Sequence, residues 1–347
     1  MKEDVKFSVL IPVYNAQEFI VSCIESVLSQ TYKNFEVVLV DDGSRDHSGE
    51  ICDQYAAQYE FIKVFHKENR GQLHTREYAI SKASGSWLVF VDADDILEKN
   101  ALEIIHSKIG EYKPDVVIYG HKRFSPEGVF VCSPQGNGDR CLEDRREFVK
   151  AVLYNGCYYG LCFKAVKADC LGKKDYSAFY HLRRQEDLLQ TMEALENANK
   201  VLFIDDLLYN YRNNPNSVTN TVNYELFLGG LDVFAEMLFM FKQHTFFNEG
   251  DYVEYRSFYL KLLTGKIIAA ACDTKLSKKK KNALFDSIKQ HPFFESFLTQ
   301  GAYNKHALGK KNVIYFLFLH DCYWGIHLAA SVFYFKQKIK QLLEHKT

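Results

Sequence analysis

Over its first 120 residues the chain alternates short apolar runs with amphipathic segments, and this alternation constrains the fold more than any other feature. The apolar runs are rich in β-branched residues, as in Phe7–Val13, and the segments between them carry apolar residues at helical spacing, as in Ala16–Gln30. Strands that alternate with helices form βαβ units around a mostly parallel sheet. The predicted strands are 7–13, 35–40, 62–66, 87–91 and 115–119, and the predicted helices are 16–30, 48–59, 72–83 and 101–109.

The composition is that of a folded protein with a large core. Of 347 residues, 47% are hydrophobic and 25% are charged, which excludes global disorder. The length suggests two domains as a soft prior. The formal net charge of −1 argues against a nucleic-acid partner, because dedicated nucleic-acid binders have a strong basic excess.

Nine cysteines are present, an odd number, and none form a Cys-x-x-Cys motif. This usage indicates reduced thiols in a cytoplasmic protein and argues against a disulfide framework or a zinc ribbon. The sequence leads from Met1 directly into the first predicted strand, so no targeting segment is expected.

Polar residues follow three predicted strands, at the sheet edge where ligands of parallel α/β folds bind. They are Tyr14-Asn15, Asp41–Ser44 and Asp92–Asp95. The chain has neither G-x-G-x-x-G in its first turn nor a P-loop, so phosphate must be bound in another way. Asp92 and Asp94 suit a hard divalent cation that holds a diphosphate. Asp95 could serve the site directly, or it could form a capping box with Glu98 at the start of the next helix.

Four motifs occur in a set order within the first 100 residues: Ser8–Asn15, Val40–Ser44, Asn69–Gly71 with Arg76, and Phe90–Asp95. In order and spacing they resemble the family 2 glycosyltransferases. A single Asp-x-Asp pair is weak evidence, whereas four ordered motifs are specific. The resemblance continues, less sharply, with Gln185–Asp187 and with Tyr209–Arg212 followed by Ser217. It implies an α/β GT-A nucleotide-sugar-binding fold with a mostly parallel central sheet.

The resemblance places the donor nucleotide in the first half of the chain. Tyr14 would lie against the base, and Asp41 would hydrogen-bond it, with uracil expected because family donors are often UDP-sugars. Asp92 would contact the ribose side, and Asp94 would bind the Mn²⁺ or Mg²⁺ that bridges the diphosphate. Arg76 would touch the nucleotide and steady Asp41. The other implied nucleotide-binding residues are Pro12, Val13, Asn69 and Ala93, while Asp42, Gly43 and Ser44 would shape a turn.

Asp187 is the predicted general base of an inverting transfer, with Glu186 orienting the acceptor. A carboxylate that takes the proton of the attacking hydroxyl contributes about 10²–10⁴-fold. Both acids could instead simply favour the N-terminus of a helix. Arg212, in a predicted lid after a strand at 201–204, would be a site cation near the diphosphate or an acidic acceptor, or else form a surface ion pair.

Two departures from the family pattern lie next to Arg76. Glu77 stands where family members commonly have Asn, and Gln72–Thr75 is not the usual run of small residues. These changes concern the sugar or base preference and leave the reaction class untouched. His74 could reach the donor, although a solvated helix position is the simpler interpretation.

The second half reads as helical, with an apolar face formed by Leu226, Leu228, Leu231, Phe234, Ala235, Leu238 and Phe241. The apolar segment Val313–Phe335 holds eight aromatics, but His320, Asp321 and His327 interrupt it, so a spanning helix would be costly. Lysines flank it at 310, 311, 336, 338 and 340. The pattern favours an interfacial helix on an anionic membrane; packing on the catalytic domain and homodimerisation are the alternatives.

These features predict a GT-A catalytic domain at 1–220, with a nucleotide-binding half (1–100) and an acceptor half with lid (101–220). A helical region at 221–347 follows, with a membrane-surface segment at 310–340. The predicted function is inverting, metal-dependent transfer of a hexosyl or N-acetylhexosaminyl group from a nucleotide sugar. The acceptor would be a glycan or a lipid-linked acceptor of envelope or capsular polysaccharide synthesis, at the cytoplasmic face of the membrane. A soluble protein-modifying glycosyltransferase, a non-catalytic nucleotide-sugar-binding protein and a membrane-associated scaffold are the alternatives.

Overall fold

The computed structural model describes residues 5–125, 128–132, 138–182, 185–212, 225–244, 247–299 and 303–332. The chain divides into two compact units, residues 1–222 and 223–347. Ser217 of the sequence motifs, the aromatic residues at 333–335 and the lysines at 336, 338 and 340 lie outside the described residues.

The first unit begins with the alternation that the sequence predicts. Every predicted strand and helix up to residue 119 is present, with ends that differ by a few residues. The elements are β1 Phe7–Val13, α1 Ile20–Leu28, β2 Phe35–Asp41, α2 Ser48–Gln58, β3 Ile62–His66, α3 Gln72–Lys82, β4 Trp87–Phe90, β5 Ile96–Leu97, α4 Ala101–Tyr112 and β6 Val116–Ser125.

The remainder of the first unit adds strands that the sequence analysis did not identify. They are β7 Gly128–Cys132, β8 Arg140–Leu142 and β9 Lys164–Lys167; the helices α5 Arg145–Leu153 and α6 Glu186–Asn197 and the long strand β10 Val201–Tyr211 complete the unit. Tyr209, Asn210 and Tyr211 therefore belong to a strand, and the prediction that they form a lid is wrong. They extend β10 because they pair with β6 on one side and β5 on the other.

The strands form one mixed sheet whose main order is β3-β2-β1-β4-β9-β6-β10-β5. The first four strands are mutually parallel, and so are β6 and β10, whereas β9 runs antiparallel between β4 and β6. The carboxyl ends of β1, β2 and β4 thus meet at one edge of the sheet, where α/β folds bind ligands.

The inner parallel strands β1, β2 and β4 are covered on both faces. All seven residues of β2 are buried, and so is every residue of β1 except the half-buried Pro12. This burial explains why these strands read as continuous apolar runs in the sequence. The chain thereby gains a rigid platform beneath the residues that follow the strands.

One acid is buried within this platform. Glu36 of β2 accepts hydrogen bonds from Lys63, Ser8 and Ser84. Burial opposes its charged form, yet these hydrogen bonds lower its pKa to about 2. A buried carboxylate is stable here because charged and polar donors surround it.

The second unit is helical, as the sequence predicts. Leu231, Phe234, Leu238 and Phe241 of the predicted apolar face are buried. The described helices of this unit are α7 Glu225–His244, α8 Glu249–Cys272, α9 Lys278–Gln290, a π-helical turn Phe294–Leu298, α10 Lys305–Leu308, α11 Asn312–Leu319 and a helix at 323–332. The helix α8 starts with a capping box formed by Asn248 and Asp251.

The described part of the predicted apolar segment lies in α11 and in the helix at 323–332. Tyr315, Phe318 and Ile326 are buried, so part of the segment packs within the fold. Other apolar side chains are exposed: Val313, Phe316, Trp324, Leu328 and Val332. Among the described residues, no helix combines the length and apolarity needed to cross a bilayer.

Candidate active site

The loops after β1 and β2 are bound to each other. The Oγ of Ser44 accepts a hydrogen bond from the Asn15 backbone N–H at 3.0 Å, and Asn15 Oδ1 accepts one from the Arg45 N–H at 2.8 Å. Asn15 itself has φ +48°. Val13 is buried, whereas the ring of Tyr14 is 47% exposed at the end of the strand. Tyr14 is therefore accessible to a ligand and mounted on a rigid support.

Asp41 ends β2 with both carboxylate oxygens engaged. Its Oδ1 accepts the Ser44 backbone N–H at 3.0 Å, and its Oδ2 lies 3.1 Å from Nδ1 of His66. His66 also contacts Asp53, with 3.0 Å between Nε2 and Oδ1. The expectation that Arg76 steadies Asp41 is wrong, because His66 and the 41–44 turn hold this carboxylate. His66, the last residue of β3, carried no sequence signal.

Asp42 organises the loop that leads into α3. Its carboxylate accepts the backbone N–H groups of Arg70 and Gly71, each at 2.9 Å, and pairs with Lys67. Gly43 has φ +71°, and a Cβ there would lie 3.1 Å from the Asn69 nitrogen, so glycine suits this position. Asn69 is exposed in this loop.

Arg76 joins residues from three parts of the first unit. This side chain of α3 is 1% exposed. Its guanidinium pairs with Asp187 of α6, lies 3.1 Å from Asp92 Oδ1 after β4, and lies 3.7 Å from Glu186 Oε1. The predicted base and the predicted donor-side acid are thus held by one cation. Gln72, one turn earlier on α3, also donates to Asp92 Oδ1, at 3.1 Å.

The acids after β4 occupy different environments. Asp92 is about one-fifth exposed, Asp94 is half-buried, and Asp95 is 1% exposed. Ala93, between the first two, is buried. Two carboxylates therefore border solvent at the ligand-binding edge, and the third points into the protein.

Asp95 ties the Asp92–Asp95 segment to the end of β10. It accepts hydrogen bonds at 2.7 Å from the Tyr209 hydroxyl and from the Arg212 backbone N–H. Burial raises its pKa well above the usual range, and the nearby Asp92 and Asp94 raise it further. The helix-cap interpretation is wrong, because β5 follows Asp95 and α4 begins only at Ala101.

Tyr209 of β10 and Arg212, directly after that strand, support the site. The Tyr209 oxygen accepts the backbone N–H of Asp92 at 3.1 Å, so this hydroxyl links Asp92 to Asp95. The Arg212 guanidinium donates to the Ser22 hydroxyl at 2.9 Å and covers the ring of Phe19 at 5.3 Å. It forms no ion pair with a described residue, so the surface ion-pair interpretation is not supported.

Comparison with known proteins identifies the family. The family model "Glycosyl transferase family 2" matches residues 8–168. The glycosyltransferase GlyG of Streptococcus pneumoniae serotype 4 is 33% identical over 223 residues, which span 62% of this chain and 73% of GlyG. The chain belongs to glycosyltransferase family 2. EpsJ of Bacillus subtilis (strain 168), an uncharacterised glycosyltransferase, is 30% identical over 61% of this chain and 62% of its own length.

Solved structures confirm the GT-A fold of this family 2 glycosyltransferase. Residues 1–349 of S. aureus TarS in complex with UDP-GlcNAc match with a TM-score of 0.54 and 23% identity, over 85% of this chain and 74% of that one. The complex of the same TarS fragment with UDP matches with a TM-score of 0.63 and 18% identity, over 94% and 91%. The predicted fold class is therefore confirmed.

The acids after β4 have the chemistry of a divalent-cation site. Among the described side chains, no group of three His, Cys, Asp or Glu could hold a metal ion alone. Mg²⁺ and similar ions, however, bind through one or two carboxylates and complete their shell with phosphate oxygens and water. The described hydrogen bonds to the Asp92 side chain both use Oδ1, which leaves Oδ2 for a ligand. Asp92 and Asp94 therefore fit such an ion.

The residues next to Arg76 that depart from the family pattern contact the segment that precedes α6. Glu77 is half-buried against Tyr176 and Tyr180, and burial raises its pKa. The ring of His74 packs edge-on against Tyr180, with 4.9 Å between centroids, and burial lowers its pKa. His74 is thus partly buried rather than solvated. Both residues join α3 to the segment that precedes α6.

Proposed function

We propose that this chain is an inverting, metal-dependent glycosyltransferase that moves a sugar from a UDP-sugar to a hydroxyl group. The acceptor would be a glycan or a lipid-linked acceptor in cell-surface polysaccharide synthesis, and the sugar a hexosyl or N-acetylhexosaminyl group. The contact of buried Arg76 with both Asp92 and Asp187 carries the proposal. It brings a donor-side acid and a candidate base to one place, as a direct displacement between two substrates requires.

In the proposed reaction Asp187 is the general base. It takes the proton of the acceptor hydroxyl as the oxygen attacks the anomeric carbon, and the bond from that carbon to the diphosphate oxygen breaks. Single displacement from the opposite face inverts the anomeric centre. Asp187 is suited to this role because its side chain is 25% exposed, so an acceptor can reach it, while Arg76 fixes its position. Glu186, one residue earlier, would orient the acceptor.

The diphosphate would lie beside Asp92 and Asp94. Asp94 is the proposed ligand of Mn²⁺ or Mg²⁺, and Asp92 would contact the ribose side of the donor. A bound divalent cation would neutralise charge on the departing diphosphate. Arg212, directly after β10, would contribute to the acceptor side.

The nucleobase would lie at the ends of β1 and β2. The exposed ring of Tyr14 would stack on the base, with Pro12 and Val13 lining the pocket. Asp41 would accept a hydrogen bond from a ring N–H group, which uracil presents. Asn69, Arg76 and Ala93 would complete the nucleotide contacts. That TarS was crystallised with UDP and with UDP-GlcNAc supports the choice of a uridine donor.

Donor turnover with a panel of UDP-, GDP- and dTDP-sugars, with and without Mn²⁺, tests this proposal. We expect a UDP-sugar to be turned over only with the metal. Asp187→Asn should lower turnover by about 10²–10⁴-fold while UDP still raises the melting temperature. Asp94→Asn should abolish the Mn²⁺-dependent part of both signals.

The exposed Asp169, on the same unit, offers a matched control, and Asp169→Asn should leave turnover unchanged. Full turnover by Asp187→Asn would contradict the base assignment. UDP binding without turnover of any donor would favour a non-catalytic binding protein. Transfer to a protein and not to glycans would favour a protein-modifying enzyme.

Exposed apolar side chains in the second unit support the part of the proposal that places the enzyme at a membrane surface. The exposed Val313 and Phe316 on α11, and Trp324, Leu328 and Val332 on the helix at 323–332, are apolar, and Lys310 and Lys311 precede α11. Exposed aromatic side chains beside lysines suit an anionic lipid surface.

Sedimentation with vesicles containing phosphatidylglycerol tests this part of the proposal. Changing Phe316, Trp324 and Leu328 to Glu should release the protein from the vesicles, whereas changing the exposed Phe130 of β7 to Glu should not. Unchanged sedimentation of the triple variant would contradict membrane binding. A shift of that variant from dimer to monomer, measured by light scattering, would instead identify a homodimer surface.

A further inference from the structure

His66 connects two acids from different elements of the first unit. It ends β3, with Asp41 of β2 on one side of its ring and Asp53 of α2 on the other. The distances are 3.1 Å from Nδ1 to Asp41 Oδ2 and 3.0 Å from Nε2 to Asp53 Oδ1. The Asp41 side chain is 9% exposed, against 61% for Asp53, so the histidine lies between a buried and a solvated carboxylate.

The surroundings of His66 hold it close to Asp41. Gly49, in the first turn of α2, packs against both side chains, since a Cβ there would lie 3.1 Å from Asp41 Oδ2 and 3.3 Å from His66 Cε1. The Cys52 thiol of α2 is buried near both acids. Lys67, the next residue in the chain, directs its ammonium group to Asp42. Among the described residues, the charged groups that contact His66 itself are thus Asp41 and Asp53.

We propose that His66 is a positioning residue of the donor pocket, which orients the Asp41 carboxylate toward the nucleobase and makes nucleotide affinity depend on pH. The proposal rests on the nucleobase role proposed above for Asp41. With the Ser44 N–H on Oδ1 and His66 on Oδ2, the carboxylate plane is held at both oxygens. Each oxygen can still accept a further hydrogen bond, as a base N–H would supply.

The protonation state of His66 decides whether it can hold both acids. An imidazolium ring donates from both nitrogens, whereas the neutral ring has one donor and one acceptor. The neutral form would therefore face one carboxylate with an unprotonated nitrogen. Hydrogen bonds to Asp53 and Asp41 raise the pKa of His66, which extends the doubly donating form to higher pH. Affinity for the nucleotide should fall as pH rises through this raised pKa.

Titration calorimetry with UDP and Mg²⁺ from pH 6 to 9 tests the proposal. His66→Gln should weaken UDP binding about tenfold at neutral pH, in line with the loss of a hydrogen bond to a charged group. It should also remove the fall in UDP affinity that wild type shows as pH rises through the pKa of His66. Asp53→Asn should keep the dependence but move it to lower pH, because His66 loses one of its two acids.

The exposed pair of His47 with Glu50 provides a matched control, with side chains 75% and 73% exposed. His47→Gln should bind UDP as wild type does at every pH. If Asp41→Asn weakens binding but His66→Gln binds with wild-type affinity and pH dependence, the positioning role is wrong. If Asp41→Asn also binds as wild type, the nucleobase role of Asp41 is wrong and the inference fails with it.

Discussion

Replacing Arg76 with methionine tests whether one buried cation organises the acidic cluster. The side chain is 1% exposed and contacts Asp187, Asp92 and Glu186. Methionine occupies similar space but carries no charge, so the change leaves the three acids facing one another without a cation. We expect the variant to be less stable than wild type and inactive in sugar transfer.

The size of the effect follows from how deeply the three acids are buried. Removing one partner of a buried ion pair costs about 3–5 kcal/mol, because the other charge stays buried and unpaired. Glu186 is 8% exposed, but Asp92 and Asp187 are 21% and 25% exposed and keep contact with water. We therefore expect the lower end, about 3 kcal/mol. At about 2–4 °C per kcal/mol for a unit of this size, the Tm should fall by about 6–12 °C.

Tryptophan fluorescence can follow this unit by itself. Of the two tryptophans in the chain, Trp87 is buried in β4, whereas Trp324 is 68% exposed in the second unit. In a Trp324→Phe background, thermal and urea unfolding therefore report on residues 1–222. The exposed pair of Arg140 with Glu147 is the control, and Arg140→Met should change stability by less than about 0.5 kcal/mol.

A double variant separates the charge effect from simple loss of packing. Adding Asp187→Asn to Arg76→Met removes one unpaired carboxylate. The double variant should therefore lose less unfolding free energy than the sum of the losses in the two single variants. A loss below about 1 kcal/mol in Arg76→Met, or strict additivity in the double variant, would refute the reasoning, since it would show that the acids do not depend on the buried cation.

Three further predictions concern the platform beneath the site. Glu36, whose pKa is lowered to about 2, should stabilise the fold above a pH of about 4.3, and this stability should be lost as pH falls toward 2. Glu36→Gln should remove this loss of stability at low pH and lower stability at pH 7 by about 2–3 kcal/mol, measured by urea unfolding at each pH. Gly85→Ala should destabilise strongly, because its Cβ would lie 2.6 Å from a backbone nitrogen, whereas Gly110→Ala in the open face of α4 should stabilise by about 0.5–1 kcal/mol, both read as shifts in Tm. Tyr209→Phe should cost about 1–3 kcal/mol and lower donor turnover, since it leaves the buried Asp95 with one donor fewer; unchanged values would show that this hydroxyl is dispensable.

The parallel half of the fold was predictable because each of its strands and helices has a recognisable local sequence pattern. Strands such as β1 and β2 are buried on both faces and read as nearly continuous apolar runs, and the helices between them show their own periodicity. The antiparallel strands β5, β7, β8 and β9 were missed. β5 has two residues and β8 has three, too few to show an apolar period. β9 begins and ends with lysine, and β7 is an exposed apolar run that pairs with β6, so pairing with other strands decides the conformation of all four.

The sequence by itself determined the family, the order of the first four parallel strands and the helices between them, and the residues at the ends of those strands. The tertiary structure alone decided which of those residues meet. Arg76 pairs with Asp187, 111 positions away, and Asp41 is held by His66 and not by Arg76. Asp95 binds β10 instead of capping a helix. The physical reason is that hydrogen bonds and ion pairs of a buried site depend on distance and direction in space, whereas a motif records only spacing along the chain.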